Sequence, residues 1–210
     1  MNPDEFLETL QTRATVKKYT SEGVDRKKIG KILEAARWAP SAGNMQSWEF
    51  LIVEDQDLKD KLSEYAYNQE HLRDAPLNIV VLGNVKTAKD RYEDRGELYM
   101  IQENAAAMQN MLLMADMLGL GAAWVGAFQE EKVKDLLKIP EKLRPLSIIT
   151  LGHPKERPRP SNKHRVSDVT YIDKYGDRTH PLYDRIVWKG LAEYGRKAKN
   201  AIKNKLKDRD

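Results

Sequence analysis

Hydrophobic positions recur along the chain with different spacings, and each spacing predicts a different kind of secondary structure. Apolar residues three or four positions apart, such as Ile29, Ile32 and Ala36, predict one buried face of an amphipathic helix, and Asp25 before them suits the N-cap position. Short apolar runs bounded by Gly or Pro predict buried strands. No internal repeat interrupts this alternation, which predicts one compact domain around a small sheet. The predicted helices span 4–11, 25–39, 56–67 and 96–118, and the predicted strands span 48–53, 78–83, 122–125 and 146–151.

The longest periodic segment, 96–118, carries Met, Ala and Leu around nearly its whole circumference before Gly119 offers a C-terminal stop. A helix with so few polar positions must be buried. Its Ala-rich face also permits close approach of another helix, so we expect it near a dimer interface as well as in the core. We assign it no catalytic role.

Composition narrows the chemistry. The chain has 210 residues, of which 40% are hydrophobic and 32% are charged. It has no cysteine, which excludes disulfides, thiolate catalysis and Cys-ligated metals, so any redox chemistry requires a bound cofactor. No apolar run reaches the roughly 18 residues of a membrane span, and the first residues do not resemble a secretory leader. We therefore expect a cytoplasmic protein without a membrane partner.

Positive charge is concentrated at the C-terminus. The last 22 residues, 189–210, contain eight Lys or Arg and three Asp or Glu, an excess of five, whereas the whole chain carries +4; the remainder is thus at −1. A nucleic-acid groove across the body is therefore not expected. Apolar residues at helical spacing predict an amphipathic helix in this tail. We predict a main domain at 1–175 and a basic extension at 176–210, packed on the core or on a partner subunit, with membrane-surface or nucleic-acid contact as the alternative.

A polar turn joins the second predicted helix to the first strand. Pro40 should end the helix, and Ser41 and Asn44 supply short hydrogen-bonding side chains. Ala42 and Gly43 leave little bulk between the backbone and a flat ligand. This composition predicts either a simple helix-to-strand connection or a turn that contacts a ligand.

Two basic segments strengthen the second interpretation. In an extended chain, Arg13, Thr15 and Lys17 point to the same side, and two cations with a hydroxyl suit a phosphate. Far along the chain, Lys163 and Arg165 again place cations at alternate positions. Together with the turn, these segments form three separated pieces of one predicted site.

The combination resembles the FMN-dependent nitroreductase family. Its members begin with Arg-x-Ser-x-Arg/Lys, continue with Pro-Ser-x-x-Asn-x-Gln-Pro-Trp and carry Lys-x-Arg near the end of the core, and the resemblance covers about residues 7–169. The segment from Gly119 to Gly126 also resembles the family's Gly-Leu-Gly-x-x-Trp-x-Gly strand. Thr15 stands for the commoner Ser and Lys17 for the commoner Arg, which preserves the donor chemistry. Ser47 replaces the usual Pro after Gln46, a change expected to loosen the turn.

The resemblance implies an α+β fold, a three-layer α-β-α sandwich with a central, mostly antiparallel sheet. It also implies an intertwined homodimer with FMN at the subunit interface. The implied FMN contacts fall into five groups, with Ala14 as a further contact beside the first. Arg13, Lys163 and Arg165 hold the phosphate, with Thr15 at the phosphate or ribityl end; Lys17 lies at the ribityl chain and the N1/O2 edge; Pro40, Ser41, Ala42 and Asn44 come from the partner subunit; Val125 and Gly126 lie near N5; Asn68 and His71 lie near the pyrimidine ring.

The activity implied is ping-pong transfer, in which NADH or NADPH gives hydride to flavin N5 and an electron-poor acceptor, such as a nitroaromatic or a quinone, takes the electrons. No catalytic side chain and no metal site are assigned. Relatives on the same scaffold also perform enone reduction, reductive dehalogenation, azoline oxidation or flavin fragmentation, and these stay alternatives. Others are a flavin-binding regulatory protein whose basic tail binds a partner, and a structural dimer without cofactor.

Overall fold

The structure is a computed structural model that describes residues 2–177. The described part of the chain divides into two units, one of residues 13–159 and one that comprises residues 2–12 and 160–177. The second unit contains helix α1 (Pro3–Thr12) and a short 3-10 turn at Val166–Asp168. Residues 178–210, which hold nearly all of the predicted basic extension, lie outside the described part, so the division at 175 stays a prediction.

A four-stranded sheet forms the centre of the 13–159 unit. All of its pairs are antiparallel, in the order β1-β2-β4-β3. The bounds of the strands are β1 (Trp48–Val53), β2 (Leu77–Asn84), β3 (Gly121–Val125) and β4 (Leu143–Gly152). Each predicted strand is present.

Strand β4 begins three residues before its predicted start, because the strand contains a β-bulge with a polar residue and a proline beside it. The register shifts after Val81, so that Val81 lies opposite Ser147 and Leu82 lies opposite Pro145. Leu146 is the extra residue, and a bulge is one of the places where a strand tolerates proline. Arg144 and Pro145 interrupt the apolar run, so the prediction began at 146.

The helices of this unit include three that the prediction omitted: α4, which is a single turn, and α5 and α7, which are short and highly charged. Short polar helices lack the apolar stripe by which longer helices are recognised in a sequence. The bounds are α2 (Arg26–Arg37), α3 (Gln56–Tyr65), α4 (His71–Asp74), α5 (Val85–Tyr92), α6 (Gly96–Met117) and α7 (Glu130–Leu137). As predicted, Asp25 caps α2, accepting a hydrogen bond from the Lys27 amide at 2.8 Å.

The sheet separates two apolar cores, which makes three layers. Alternate residues of a strand point to opposite faces. Ile79 and Val81 of β2 pack with α2 and α6, whereas Val80 and Leu82 pack with α3, α4 and α7. This is the α+β, three-layer sandwich with an antiparallel sheet that the resemblance implies.

Helix α6 is only partly buried by this chain. Met100, Ala107 and Met111 are fully buried, but Leu98 and Ile101 remain 44% and 42% exposed. The expectation of complete burial is therefore not met within one chain, since apolar side chains on a second face of α6 stay in solvent. Within residues 2–177, no helix has both the length and the apolar character needed to cross a membrane.

Candidate functional site

The segment after Arg13 runs along the outer edge of β3. Thr15 forms a parallel bridge with Ala122, and the Val16 amide donates to the Ala122 carbonyl at 3.0 Å. Val16 is buried, whereas Thr15 and Lys17 are exposed. This alternation agrees with the prediction that Thr15 and Lys17 share one side of an extended segment.

Tyr19 fixes the far end of that segment. Its buried hydroxyl donates to the Val16 carbonyl at 2.5 Å and lies 2.6 Å from the Thr150 hydroxyl in β4. Burial raises the pKa of the Tyr19 phenol well above its ordinary value, an effect that the hydrogen bond from Thr150 only partly offsets. Tyr19 is therefore a neutral anchor that holds the segment against the sheet.

The polar turn between α2 and β1 has a tightly specified backbone. Helix α2 ends before Pro40, and residues Ala42–Asn44 form a 3-10 turn in which Gly43 and Asn44 have φ of +50° and +58°. A side chain at Gly43 would collide with the hydroxyl of Tyr92. Inside the turn, the Gln46 amide donates to Ser41 Oγ at 3.2 Å. These contacts leave the Asn44 and Pro40 side chains exposed.

A buried carboxylate from α6 holds both ends of this turn. Glu103 is 3% exposed and accepts hydrogen bonds from the Ser47 amide at 2.6 Å and from the Ala42 amide at 3.2 Å. Asn104 beside it donates to Ser47 Oγ at 3.3 Å and to the Met100 carbonyl at 2.9 Å. Glu103 could not be identified as a functional residue from the sequence, because one acidic residue in an apolar helix does not reveal a partner some 60 positions away.

The link from α3 to α4 brings His71 close to Lys17. Asn68 has φ of +59° and is exposed, and its amide donates to the Ser63 carbonyl at 2.9 Å. The Gln69 side chain donates to the Ala127 carbonyl at 3.1 Å, which ties this link to the end of β3. His71 is buried, and its pKa is lowered first by burial and then by the positive charge of Lys17, while Asp74 raises it. His71 is thus a neutral imidazole beside a cation.

A cleft of about 260 Å³ opens beside the end of β3. Gly126 is exposed in its wall, whereas Val125 is buried in the core. Trp124 also lines the cleft and donates from Nε1 to Ser147 Oγ at 2.7 Å. The remaining lining residues are Ile101, Ala105, Met108, Phe128, Glu130, Arg144, Pro145, Leu146 and Ser147.

The predicted phosphate residues fall in both units of the chain. Arg13 and Ala14 line a small depression with Asp116, and Asp116 accepts from Arg157 at 2.7 Å. Lys163 and Arg165 are exposed in the other unit. Their grouping with Arg13 stays a prediction. The neighbouring Arg157 was not assigned to the site, and its partner Asp116 gave no signal in the sequence.

Comparison with known proteins identifies the family of this chain. The profile of the Nitroreductase family matches residues 10–69 and 64–153. The chain belongs to the nitroreductase family. A protein of Archaeoglobus fulgidus that carries the provisional name NADH dehydrogenase/NAD(P)H nitroreductase is 37% identical over 157 residues, which is 73% of this chain and 87% of the relative.

Two further similar proteins cover more of this chain than the Archaeoglobus fulgidus relative does. The FMN reductase [NAD(P)H] of Bacillus subtilis is 27% identical over 216 residues, 94% of this chain and 85% of that protein. The crystal structure of a nitroreductase family protein from Clostridium novyi NT superposes with a TM-score of 0.67 at 31% identity, covering 82% of this chain and 96% of that one.

Ser47, where the chain departs from the nitroreductase pattern, makes backbone hydrogen bonds that the sequence did not predict. Ser47 stands where the family pattern has Pro, and from the sequence this change is expected to loosen the turn. Instead, the Ser47 amide, which a proline lacks, donates to Glu103, and the Ser47 carbonyl accepts from the Asn84 amide at 2.8 Å. Ser47 therefore ties the turn to α6 and to the end of β2.

Proposed function

We propose that this chain is an NAD(P)H-dependent FMN oxidoreductase whose acceptor is electron-poor, such as a nitroaromatic or a quinone. The observation that carries the proposal is a polar cluster at the outer edge of the sheet, in which the exposed Lys17 lies close enough to the buried His71 to lower its pKa, and in which neither side chain bonds to a carboxylate within residues 2–177. Family membership and the names of the relatives support NAD(P)H as the electron donor and FMN as the cofactor. The acceptor class rests on the family resemblance.

The side chains at this edge suit the negatively charged and hydrogen-bonding edge of a flavin. Within residues 13–159, Lys17 is exposed and makes no ion pair, whereas the adjacent Lys18 is paired with Glu156 at 2.9 Å. An unpaired ammonium beside a neutral imidazole offers hydrogen-bond donors and positive charge. Along an edge strand, every second residue turns its backbone N–H and C=O groups away from the sheet. Ala122 uses these groups to pair with the segment at Thr15, so Trp124 is the next residue of β3 whose backbone groups face outward.

FMN, when bound, supplies the chemistry by accepting hydride from NAD(P)H and passing electrons to an acceptor. The protein's residues position it and set the local charge. Lys17 stabilises the negative charge gained on reduction. Arg13 would hold the phosphate, and Gly126 would let the main chain approach the ring. The assignment of Lys163 and Arg165 to the phosphate rests on the family resemblance alone. No side chain has to act as an acid or a base toward the substrate.

A second copy of the chain completes the proposed site. Ile101 on α6 and Trp124 on β3 line the same cleft and are 42% and 40% exposed, and Leu98 on α6 is 44% exposed, so apolar side chains face solvent on this side of the chain. Covering this surface with a second subunit would bury it and bring the partner's turn, with Pro40 and Asn44, to the flavin. The turn's own hydrogen bonds run to α6 and β2, and none joins it to segment 13–19 within residues 13–159.

Adjacent lysines allow a matched test of this assignment. Lys17→Met removes the unpaired cation, whereas Lys18→Met removes a lysine one position away that is paired with Glu156. Titration of the apoprotein with FMN, followed by quenching of flavin fluorescence, should show binding weakened by tenfold or more in Lys17→Met, since a hydrogen bond to a charged group contributes about 1.5–3 kcal/mol. Lys18→Met should bind like wild type. Equal loss in both variants, or in neither, contradicts the placement of FMN at Lys17.

A further inference from the structure

His71 is a buried histidine whose ring has no partner. It is 6% exposed, and within residues 2–177 its ring nitrogens make no hydrogen bond and no ion pair. By contrast, Nε2 of His153 lies 3.4 Å from a carboxylate oxygen of Glu22. Neither ring nitrogen is among the fully buried side-chain atoms without a partner in residues 2–177, which are Asn78 Oδ1 and Asn104 Oδ1. The ring is therefore largely enclosed, while its nitrogens keep access to solvent and are open to a proton or to a bound group.

The charged groups around His71 come from three segments. Lys17, from the segment along β3, lowers its pKa, and Asp74, at the end of α4, raises it. From α3, Lys59 donates to the carbonyl of Ala75 at 2.8 Å, next to Asp74, whose charge it also feels. Asp74 also lies 3.6 Å from Nε of Arg73, so positive charge faces this carboxylate as well. Burial and Lys17 prevail, and His71 is neutral near pH 7.

Negative charge placed beside Lys17 would raise the pKa of His71 and favour its protonated form. A charge placed near a buried group acts through a lower effective dielectric than one near an exposed group, so its effect on a proton equilibrium is larger. The imidazole ring has a nitrogen without a proton in its neutral form, and that nitrogen can accept one from solvent. Lys17 is exposed and already charged, so it cannot respond in this way.

We propose that His71 takes up a proton when the flavin bound in this site is reduced, so that two electrons enter the site together with two protons. The inference rests on the proposed function, since it requires FMN beside Lys17. With FMN bound, hydride from NAD(P)H would bring both electrons and one proton, and the reduced cofactor would carry negative charge beside Lys17. The second proton comes from solvent and binds the free ring nitrogen of His71. When an acceptor removes the electrons, the pKa of His71 falls again and the proton leaves.

The midpoint potential of the FMN-loaded protein tests this coupling. For a two-electron couple, each proton taken up changes the potential by about 30 mV per pH unit. Spectroelectrochemical titration between pH 6 and 9 should give a slope near 60 mV per pH unit for wild type around neutrality, and near 30 for His71→Gln, whose side chain does not titrate. His153→Gln is the matched control and should follow wild type.

Equal slopes in wild type and His71→Gln would overturn the inference while leaving the oxidoreductase intact. Wild-type protein that fails to bind FMN at all would overturn the proposed function, and the inference with it. A second measurement covers the case in which His71→Gln does not fold. In wild-type protein at pH 7, the ring resonances of His71 should change from imidazole to imidazolium on anaerobic reduction, and a ring that stays neutral in both states would contradict the inference.

Discussion

Glu103 is the residue whose replacement tests the architecture of the site most sharply. Its two carboxylate oxygens accept from the amides of Ser47 and Ala42, and these amides mark the two ends of the turn proposed to line the flavin. Glu103→Gln keeps the size and shape of the side chain. It replaces one acceptor oxygen by an NH₂ group, which faces a backbone N–H that it cannot satisfy.

The expected loss follows from these two hydrogen bonds. One charge-assisted bond, which contributes about 1.5–3 kcal/mol, disappears, and the other becomes a neutral bond of about 0.5–1.5 kcal/mol. The neutral amide is less costly to bury than the carboxylate, which offsets part of the loss. We therefore expect the free energy of unfolding to fall by about 2–3 kcal/mol, or roughly 4–12 °C in Tm for a chain of this length.

Thermal unfolding followed by circular dichroism measures this loss, with protein concentration held fixed because subunit association shifts Tm. Glu49→Gln is the matched control, since Glu49 is exposed on β1. It should leave Tm within about 1 °C of wild type, as surface substitutions usually do. If Glu103→Gln and Glu49→Gln unfold at the same temperature, the carboxylate does not hold the turn. FMN affinity of the same variant then reports how far the turn contributes to the site.

Three further predictions follow from the groups around the sheet. Lys17→Met should raise the pKa of His71 in the cofactor-free protein, measured by NMR titration, because it removes a nearby positive charge; an unchanged pKa would mean that the two residues do not interact. Tyr19→Phe should lower the free energy of urea unfolding by about 1–3 kcal/mol, since it leaves buried partners unpaired, and an unchanged unfolding midpoint would contradict this. Burial lowers the pKa of Lys59, so the folded protein releases that proton at lower pH than the unfolded chain, and wild type should gain stability over Lys59→Met as pH rises towards 10.5; parallel pH curves would refute it.

Much of the fold could be predicted because its main elements carry long or uninterrupted apolar patterns. The runs at β1, β2 and β3 are bounded by polar or Gly positions, and the strands lie within one residue of the predicted bounds. Helix α6 differs from its prediction by one residue at the C-terminus. These elements pack against one another, so burial and local pattern agree.

The parts that could not be predicted depend on contacts between distant segments. The burial of His71 follows from the packing of a one-turn helix, which has no period to read. The role of Glu103 follows from two backbone amides more than 50 positions away, and a backbone donor leaves no mark in the sequence. Substitution of Ser for Pro at 47 suggested a looser turn, because only the structure shows where its amide points.

The most direct test of the central claim is anaerobic reduction of the FMN-loaded protein by NADH and by NADPH, followed by its visible absorbance. The account predicts that the flavin bands bleach with at least one nucleotide and return when a quinone or a nitroaromatic is added. Flavin that stays oxidised with both nucleotides, in protein that binds FMN, would contradict an NAD(P)H-dependent oxidoreductase.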